Sequence, residues 1–495
     1  MEKEEKQLNV TNGFVWTFAE RITAQLVSTL VGIVLARLLV PQDYGAVSIV
    51  MVFITLCNVF VTSGFGTAIV QKKEVDETDY NTAFLMSFLM SAVLYGLLFI
   101  VAPYIAQFYE MPVLRPVIRV LGLRLILTSL NTIQQAHVQR EMKFKKFFIA
   151  TLFGTVISCI VGVILAYCGY GIWALVAQYL TNTTIDTIVL MFVGGWNPKL
   201  KFSKRKAKEI TSFGVKVLCT ELVFTLEGDI RSLIVGKVFG SSSLAYYDQG
   251  RKYPALVVNN ANSALTKVLL PALSRQQDNL YELKQLMRKS IRIGLYLLCP
   301  ILIGFAAVSN DFVSVVLTDK WLDAVPYIVI FCFVYLTRPM ESACHQALLA
   351  IGRSGLVFWL MVVINGSGIV GVVIGVFVLK SVLWIALISL ITTVLSLICF
   401  LISANVLINY KFREQFSDIF PSVSIALIMG GIVYSFTFIA FNIYLKLVVQ
   451  VLSGIVIYIM LSIATRNSSW KYILNFIRTR LRKKDKEKEN AESEQ

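Results

Sequence analysis

The stretch from Phe14 to Val40, FVWTFAERITAQLVSTLVGIVLARLLV, decides the fold. It is apolar over a length that crosses a bilayer as a helix, since about 20 residues at about 1.5 Å each suffice. Yet it carries Glu20 and Arg21, roughly two turns in from its start. A charge at that depth costs about 2.5–3.5 kcal/mol on insertion scales, so it faces protein or water rather than lipid. At helical spacing Thr17, Arg21, Gln25, Ser28 and Gly32 form one polar stripe. A spanning helix with one wet face implies neighbouring helices and a cavity.

The design recurs 199 residues later. The shifted stripe falls on Lys216, Thr220, Phe224, Glu227 and Arg231, inside SFGVKVLCTELVFTLEGDIRSLIVGKVF. The helix ends correspond as well, ARLLVPQDYGA beside GKVFGSSSLAYYD. Both copies are polar-striped helices followed by a short turn and another long helix, the pattern of a duplicated transporter scaffold.

Composition fixes the class. Hydrophobic residues make up 56% of the 495 and the mean hydropathy is +0.70, values of an integral membrane protein. Apolar runs recur along nearly the whole chain, which leaves no large soluble domain for separate chemistry. The start, MEKEEKQLN, is mixed in charge and the first apolar run is too long for a signal-peptide core. Eight cysteines lie scattered through apolar segments without a CxxC and read as small buried hydrophobes.

Helical spans are expected near 14–40, 44–69, 82–106, 113–136, 147–168, 171–193, 209–238, 243–272, 290–309, 325–351, 355–379, 381–408, 418–440 and 443–464, about fourteen in all. The fourth, seventh, eighth and tenth are polar enough to escape a hydropathy window. Alternate loops then sort by charge. One set holds Lys72 and Lys73, the group Arg140, Lys143, Lys145 and Lys146, the stretch WNPKLKFSKRKAKE, Arg275–Arg292, Arg353, Lys411 with Arg413, and the tail from Arg466. The other holds little beyond Arg115, Lys320 and Lys380. The positive-inside rule therefore predicts both termini in the cytoplasm, and the +16 net charge belongs to cytoplasmic loops rather than to a nucleic-acid site.

With six spans ahead of WNPKLKFSKRKAKE, the two repeats enter the membrane in the same direction. The expected architecture is all-α: two parallel-repeat six-helix lobes around a central cavity, plus two C-terminal helices. Residues 1–198 would form the first lobe, 199–208 a basic cytoplasmic linker, 209–408 the second lobe, 409–464 the extra helices and 465–495 a basic amphipathic and disordered tail. Two stretches, DNLYELKQLMRKSI and SSWKYILNFIRTRLRKK, place apolar residues on one face opposite basic ones. They read as interfacial helices on an anionic inner leaflet.

The chemistry must come from polar groups at depth. Arg21, Arg124, Arg231, Arg251, Lys252 and Arg338 are the cations expected to line the cavity. Arg338 shares a face with Glu341 and His345, and Arg124 shares one with Thr128, Asn131 and Gln135. Glu20, Glu227, Asp229, Asp248 and Glu341 would balance those charges or carry coupling protons. Arginine stays protonated and offers a planar fork that fits phosphate oxygens, so such a cavity suits a phosphate-bearing, hydroxyl-rich cargo. Some of these charges would instead be structural ion pairs, Arg338 with Glu341 being the obvious local one. No Walker motif, HExxH or clustered metal spacing occurs, so neither enzymatic catalysis nor a cofactor is expected.

Four stretches carry a resemblance: LARLLVPQDYGAVSIV, AHVQREMKFKKFF, WNPKLKFSKRKAKEITSFG and LAYYDQGRKYPAL. In order and spacing the chain resembles the Wzx-type polysaccharide flippases of the multidrug/oligosaccharidyl-lipid/polysaccharide exporter superfamily, in the branch of the colanic acid and teichuronic acid exporters. The resemblance implies a MATE-like fold in a bacterial cytoplasmic membrane and an undecaprenyl-pyrophosphate-linked oligosaccharide moved by alternating access. It also implies membrane lipids and polysaccharide assembly proteins as partners. A related lipid II flippase group builds a sodium site partly on the eleventh and twelfth helices. Those helices hold no acidic residue here, which favours protons over sodium. A drug exporter of the same superfamily, a membrane polymerase and a non-catalytic scaffold are the competing readings. The cation excess, the short outer loops and the buried charges weigh against them in turn.

Overall fold

The computed structural model describes residues 23, 25–62, 64–72, 74–141, 143–439, 442–467, 469 and 470. They are helical almost throughout: α1 (Gln25–Leu38), α2 (Pro41–Thr62), α3 (Phe65–Gln71), α4 (Glu77–Phe108), α5 (Leu114–Arg140), α6 (Phe144–Tyr167), α7 (Ile172–Gly194) and α8 (Lys204–Ser274), then α9 (Leu280–Phe312), α10 (Val325–Leu336), α11 (Arg338–Ala350), α12 (Ser354–Phe377), α13 (Val382–Ile408), α14 (Phe412–Ser435) and α15 (Ile443–Ala464). Among the described residues ten helices are long and apolar enough to cross a membrane. The seventh and eighth expected spans fall short, as their polarity foretold, but the fourth and tenth pass. The sixth also falls short, because TNTTID interrupts α7.

Chain contacts divide the molecule into two compact units, Met1–Ala245 and Tyr246–Gln495. The repeat-based lobes are a different division, drawn on internal similarity rather than on contacts. Within α8 the helix breaks at Gly240, whose φ of 84° and ψ of 168° suit only glycine.

In the first unit, α8 lies against α2 and the turn that follows it with backbone almost touching backbone. A Cβ on Gly45 would fall 1.8 Å from the Ser241 carbonyl oxygen, and one on Gly214 would fall 2.9 Å from that of Gly64. Small residues permit this approach where a branched side chain would wedge the helices apart. The segment between α7 and α8 is strapped down. Trp196 is buried against Tyr80 and Phe84, with ring centroids 5.8 and 5.9 Å away. Gln134 donates to the Trp196 carbonyl at 2.6 Å, and the Lys199 amide donates to Asn81 Oδ1 at 2.6 Å.

The basic residues around this strap mostly cap helices and bridge carboxylates. Arg140 donates to the carbonyls of Ile69, Val70 and Lys72 at the C-terminus of α3, and Lys146 to that of Gly194 at the end of α7. Both places carry orphan carbonyls and partial negative charge. Lys72 reaches Asp79 at 2.8 Å and Glu209 at 3.4 Å, while Lys206 pairs with Asp76. The Lys206 ammonium, helped by the Asp79 amide, holds the Asp76 carboxyl down to about 2.

The second unit is built on α9. Leu283, Met287 and Ile291 are fully buried in its core, and the basic residues interleaved with them pair with α14. Arg288 reaches Glu414 and Asp418 at 2.7 Å each, Arg292 reaches Asp418 at 2.8 Å, and the Tyr410 hydroxyl donates to Asp418 at 2.9 Å. This corrects the expectation of a lipid-facing interfacial helix at Asp278–Ile291. Its apolar face packs on protein, and its cations answer carboxylates rather than lipid headgroups. The other amphipathic stretch, beyond Trp470, lies outside the described residues. At the opposite end of α9, Asp311 accepts from Lys446 at 2.8 Å and from Gln450 at 2.9 Å. The two C-terminal helices are thus pinned to α9 at both ends.

Asp418 satisfies three partners while almost fully buried. Asp418→Ala, which strands two guanidinium groups, should cost about 3–5 kcal/mol of stability. Tyr410→Phe removes one hydrogen bond and should cost about 1–3 kcal/mol. Thermal unfolding of the purified variants in detergent ranks the two.

Candidate functional site

In the first unit the site is assembled by α5, α6 and α7. Arg124 projects from α5 and donates through Nε to Thr183 Oγ1 of α7 at 2.9 Å, with Nη1 3.7 Å from the Met51 sulfur. Its guanidinium carbon lies 5.6 Å from the Tyr179 ring centre, within cation–π range. Two turns further along α5, the Asn131 amide donates to Asp186 Oδ2 at 2.6 Å. Gly154 lets α6 close over this point, since a Cβ there would sit 3.3 Å from that of Asp186. Among the described residues no carboxylate lies within ion-pair distance of Arg124. Its charge is met by a hydroxyl, a sulfur and a ring.

In the second unit Arg338 lies 3.6 Å from Glu341 across one turn of α11. Glu341 is buried and accepts the Ser396 hydroxyl of α13, while its other oxygen, Oε2, lacks a hydrogen bond. His345, one turn on, stands edge-to-face to Phe400 at 5.9 Å. In α8, Asp248 and Arg251 form a pair at 3.6 Å, and Lys252 is exposed next to them.

Of the residues expected from sequence, the structure brings together Arg338 with Glu341 and Arg251 with Asp248. Asp229 and Arg231 are half-buried in the first half of α8. Glu20, Arg21 and the side chain of Glu227 lie outside the described residues. Asp186, Thr183, Tyr179 and Ser396 were missed. A signal for the first three existed: Tyr179, Thr183, Asp186 and Thr187 recur at helical spacing and draw one polar stripe along α7. All eight cysteines are free, and four of them are buried.

Residues 34–326, more than half of the chain, match the polysaccharide biosynthesis protein family. The chain belongs to that family. It is a membrane-spanning member of that family. Proteins of similar sequence include the teichuronic acid biosynthesis protein TuaB of Bacillus subtilis, 22% identical over 71% of this chain and 73% of that one. The lipopolysaccharide biosynthesis protein WzxC of Escherichia coli is 23% identical over 66% of each. The succinoglycan biosynthesis transport protein ExoT of Rhizobium meliloti is 20% identical over 90% of this chain and 91% of its own. The fold is shared with the lipid II flippase MurJ in an inward closed conformation, at a TM-score of 0.72 and 15% identity over 92% of this chain and 99% of that one. An inward-facing multidrug resistance MATE transporter shares it at a TM-score of 0.62 and 14% identity, over 78% and 96%.

The four stretches that resemble this family are largely scaffold. PQDYGA supplies the Gly45 contact, AHVQREMKFKKFF the caps at Arg140 and Lys146, and WNPKLKF the strap. LAYYDQGRKY supplies Tyr247, whose ring lies 5.3 Å from that of Phe331, and Gly250, where a Cβ would fall 2.3 Å from that of Tyr327. Ser396→Ala leaves Glu341 without its one hydroxyl partner and should lower stability by about 1–3 kcal/mol. Ser403→Ala, whose hydroxyl bonds only the Cys399 carbonyl of its own helix, should be near neutral. Melting temperatures of the two variants measure the difference.

Proposed function

We propose that the chain is a flippase that carries a polyprenyl-pyrophosphate-linked oligosaccharide across the cytoplasmic membrane by alternating access, for assembly of a cell-surface polysaccharide. Both termini lie in the cytoplasm on this reading, as the loop charges argue. The observation that carries it is Arg124, held within the first unit with no carboxylate beside it among the described residues and only Nε and Nη1 engaged by neighbours. A half-buried guanidinium left in that state keeps donors available for phosphate oxygens. Family membership and the names of the similar proteins, all concerned with surface polysaccharide, support the cargo class. The pyrophosphate would meet guanidinium groups while the prenyl chain stays in lipid, which spares the headgroup its desolvation cost.

Arg338 and Glu341 take the supporting role. An arginine already paired at 3.6 Å with a carboxylate has less field to offer an anion than Arg124 has. Export of an organic cation, the second reading, would reverse this order and make Glu341 the indispensable residue.

The test is protein-dependent exposure of a labelled polyprenyl-pyrophosphate oligosaccharide to an external glycosidase in proteoliposomes. Arg124→Gln should slow exposure by about 10- to 100-fold, the worth of one charge-assisted contact. Arg338→Gln should have a smaller effect. Wild-type rates from a correctly folded Arg124→Gln/Arg338→Gln double variant would sink the assignment. No exposure by the wild type, with uptake of an organic cation that is lost in Glu341→Gln, would favour the cation exporter.

A further inference from the structure

Asp186 is the one acidic residue in the middle of any helix of the first unit from α2 to α7, and nothing in the flipping reading above uses it. It is half-buried, and its described hydrogen bond is the 2.6 Å contact from the Asn131 amide. Asn131 is itself 96% buried and its own carbonyl oxygen, Oδ1, has no partner. The charged groups on the surrounding helices are few. On α5 these are Arg124, two turns from Asn131 and turned toward Thr183, and His137, which pairs with Glu141 at 3.3 Å. Arg115 and Arg119 lie in the opening turns of that helix and Arg140 at its end. On α6 they are Lys145 and Lys146 in its first turn, the latter bound to the Gly194 carbonyl. On α2 there is Asp43 in the first turn, and on α7 itself the titratable group is Tyr179.

A carboxylate with one neutral amide donor and no adjacent cation among the described residues is poorly compensated. The carboxylic acid form is not. An asparagine amide serves both states: its NH2 donates to the carboxylate, and after a half-turn its Oδ1 accepts from the acid O–H. That turn would also give the unpartnered Oδ1 its hydrogen bond. Asn131 is thus a two-way partner for a group that gains and loses a proton.

We propose that Asp186 is a reversible proton-binding site, and that its protonation is linked to anion occupancy at Arg124, which donates to Thr183 one turn from Asp186 on α7. The proton comes from water and returns to it, with no bond other than the carboxyl O–H made or broken. With Asp186 ionised, the negative charge near Arg124 weakens its hold on an anion. With Asp186 neutral, the guanidinium acts alone. By reciprocity an anion on Arg124 must draw a proton to Asp186. The linkage rests on the anion-binding reading of Arg124, whereas the proton site does not.

The experiment is infrared difference spectroscopy of the full-length protein in nanodiscs, following the protonated-carboxyl C=O stretch as pH is raised from acid to alkaline. A band that titrates in the wild type should vanish in Asp186→Asn and shift in frequency in Asp186→Glu. Asn131→Leu should move its midpoint to higher pH, because the ionised form loses its only donor. Inorganic pyrophosphate should raise the wild-type midpoint and leave that of Arg124→Gln unmoved. A titrating band that survives in both Asp186 variants overturns the proton site. A band that is lost in Asp186→Asn but ignores pyrophosphate overturns the linkage alone. Because the titration is read without cargo, failure of flipping by the wild type would leave the proton site standing and remove only the cargo assignment.

Discussion

Ionic groups withdrawn from water must be answered by something, and this requirement organises the molecule. At the ends of helices the answer is ionic. Arg288 and Arg292 share Asp418, Lys446 meets Asp311, and Lys72 and Lys206 meet Asp79 and Asp76. Deeper in the first unit the answer is deliberately weaker. Arg124 is met by a hydroxyl, a sulfur and an aromatic face, and Asp186 by an amide. Fully paired ions would be inert. Ions satisfied by neutral dipoles keep part of their field for something that arrives.

The same contrast separates scaffold from site. Glycine contacts at Gly45 and Gly214 and the Trp196 strap fix the first half of α8 to its neighbours. Basic residues in the family-like stretches spend their donors on the carbonyl ends of α3 and α7. Those stretches therefore belong to the frame. The α5–α7 face that carries Arg124, Asn131 and Asp186 mostly lies between those stretches.

Most of the helices, and the polar faces of α5 and α11, were legible in the sequence, because hydropathy and a 3.6-residue period need no knowledge of partners. What escaped had non-local causes. The amphipathic face of Asp278–Ile291 reads the same in sequence whether lipid or α14 covers it. Asp186 is a lone acid whose partner, Asn131, sits on another helix, so nothing local in the sequence singles it out. The Trp196 strap has no period at all, and its contacts with Asn81 and Gln134 are visible only in three dimensions. Glu20 and Arg21 lie outside the described residues.

The pinning of α14 and α15 to α9 has a consequence for synthesis. Arg288 and Asp418 are 130 residues apart in the chain, and Asp311 and Gln450 are 139 apart. When α9 leaves the ribosome its cations and Asp311 have no partners, and they stay unanswered until almost the whole protein has been made. A nascent chain therefore carries unpaired ions at both ends of α9 as a mark of incompleteness, erased only by the arrival of the last two helices. Chains truncated before α14 would keep that mark and present themselves to membrane quality control as unfinished.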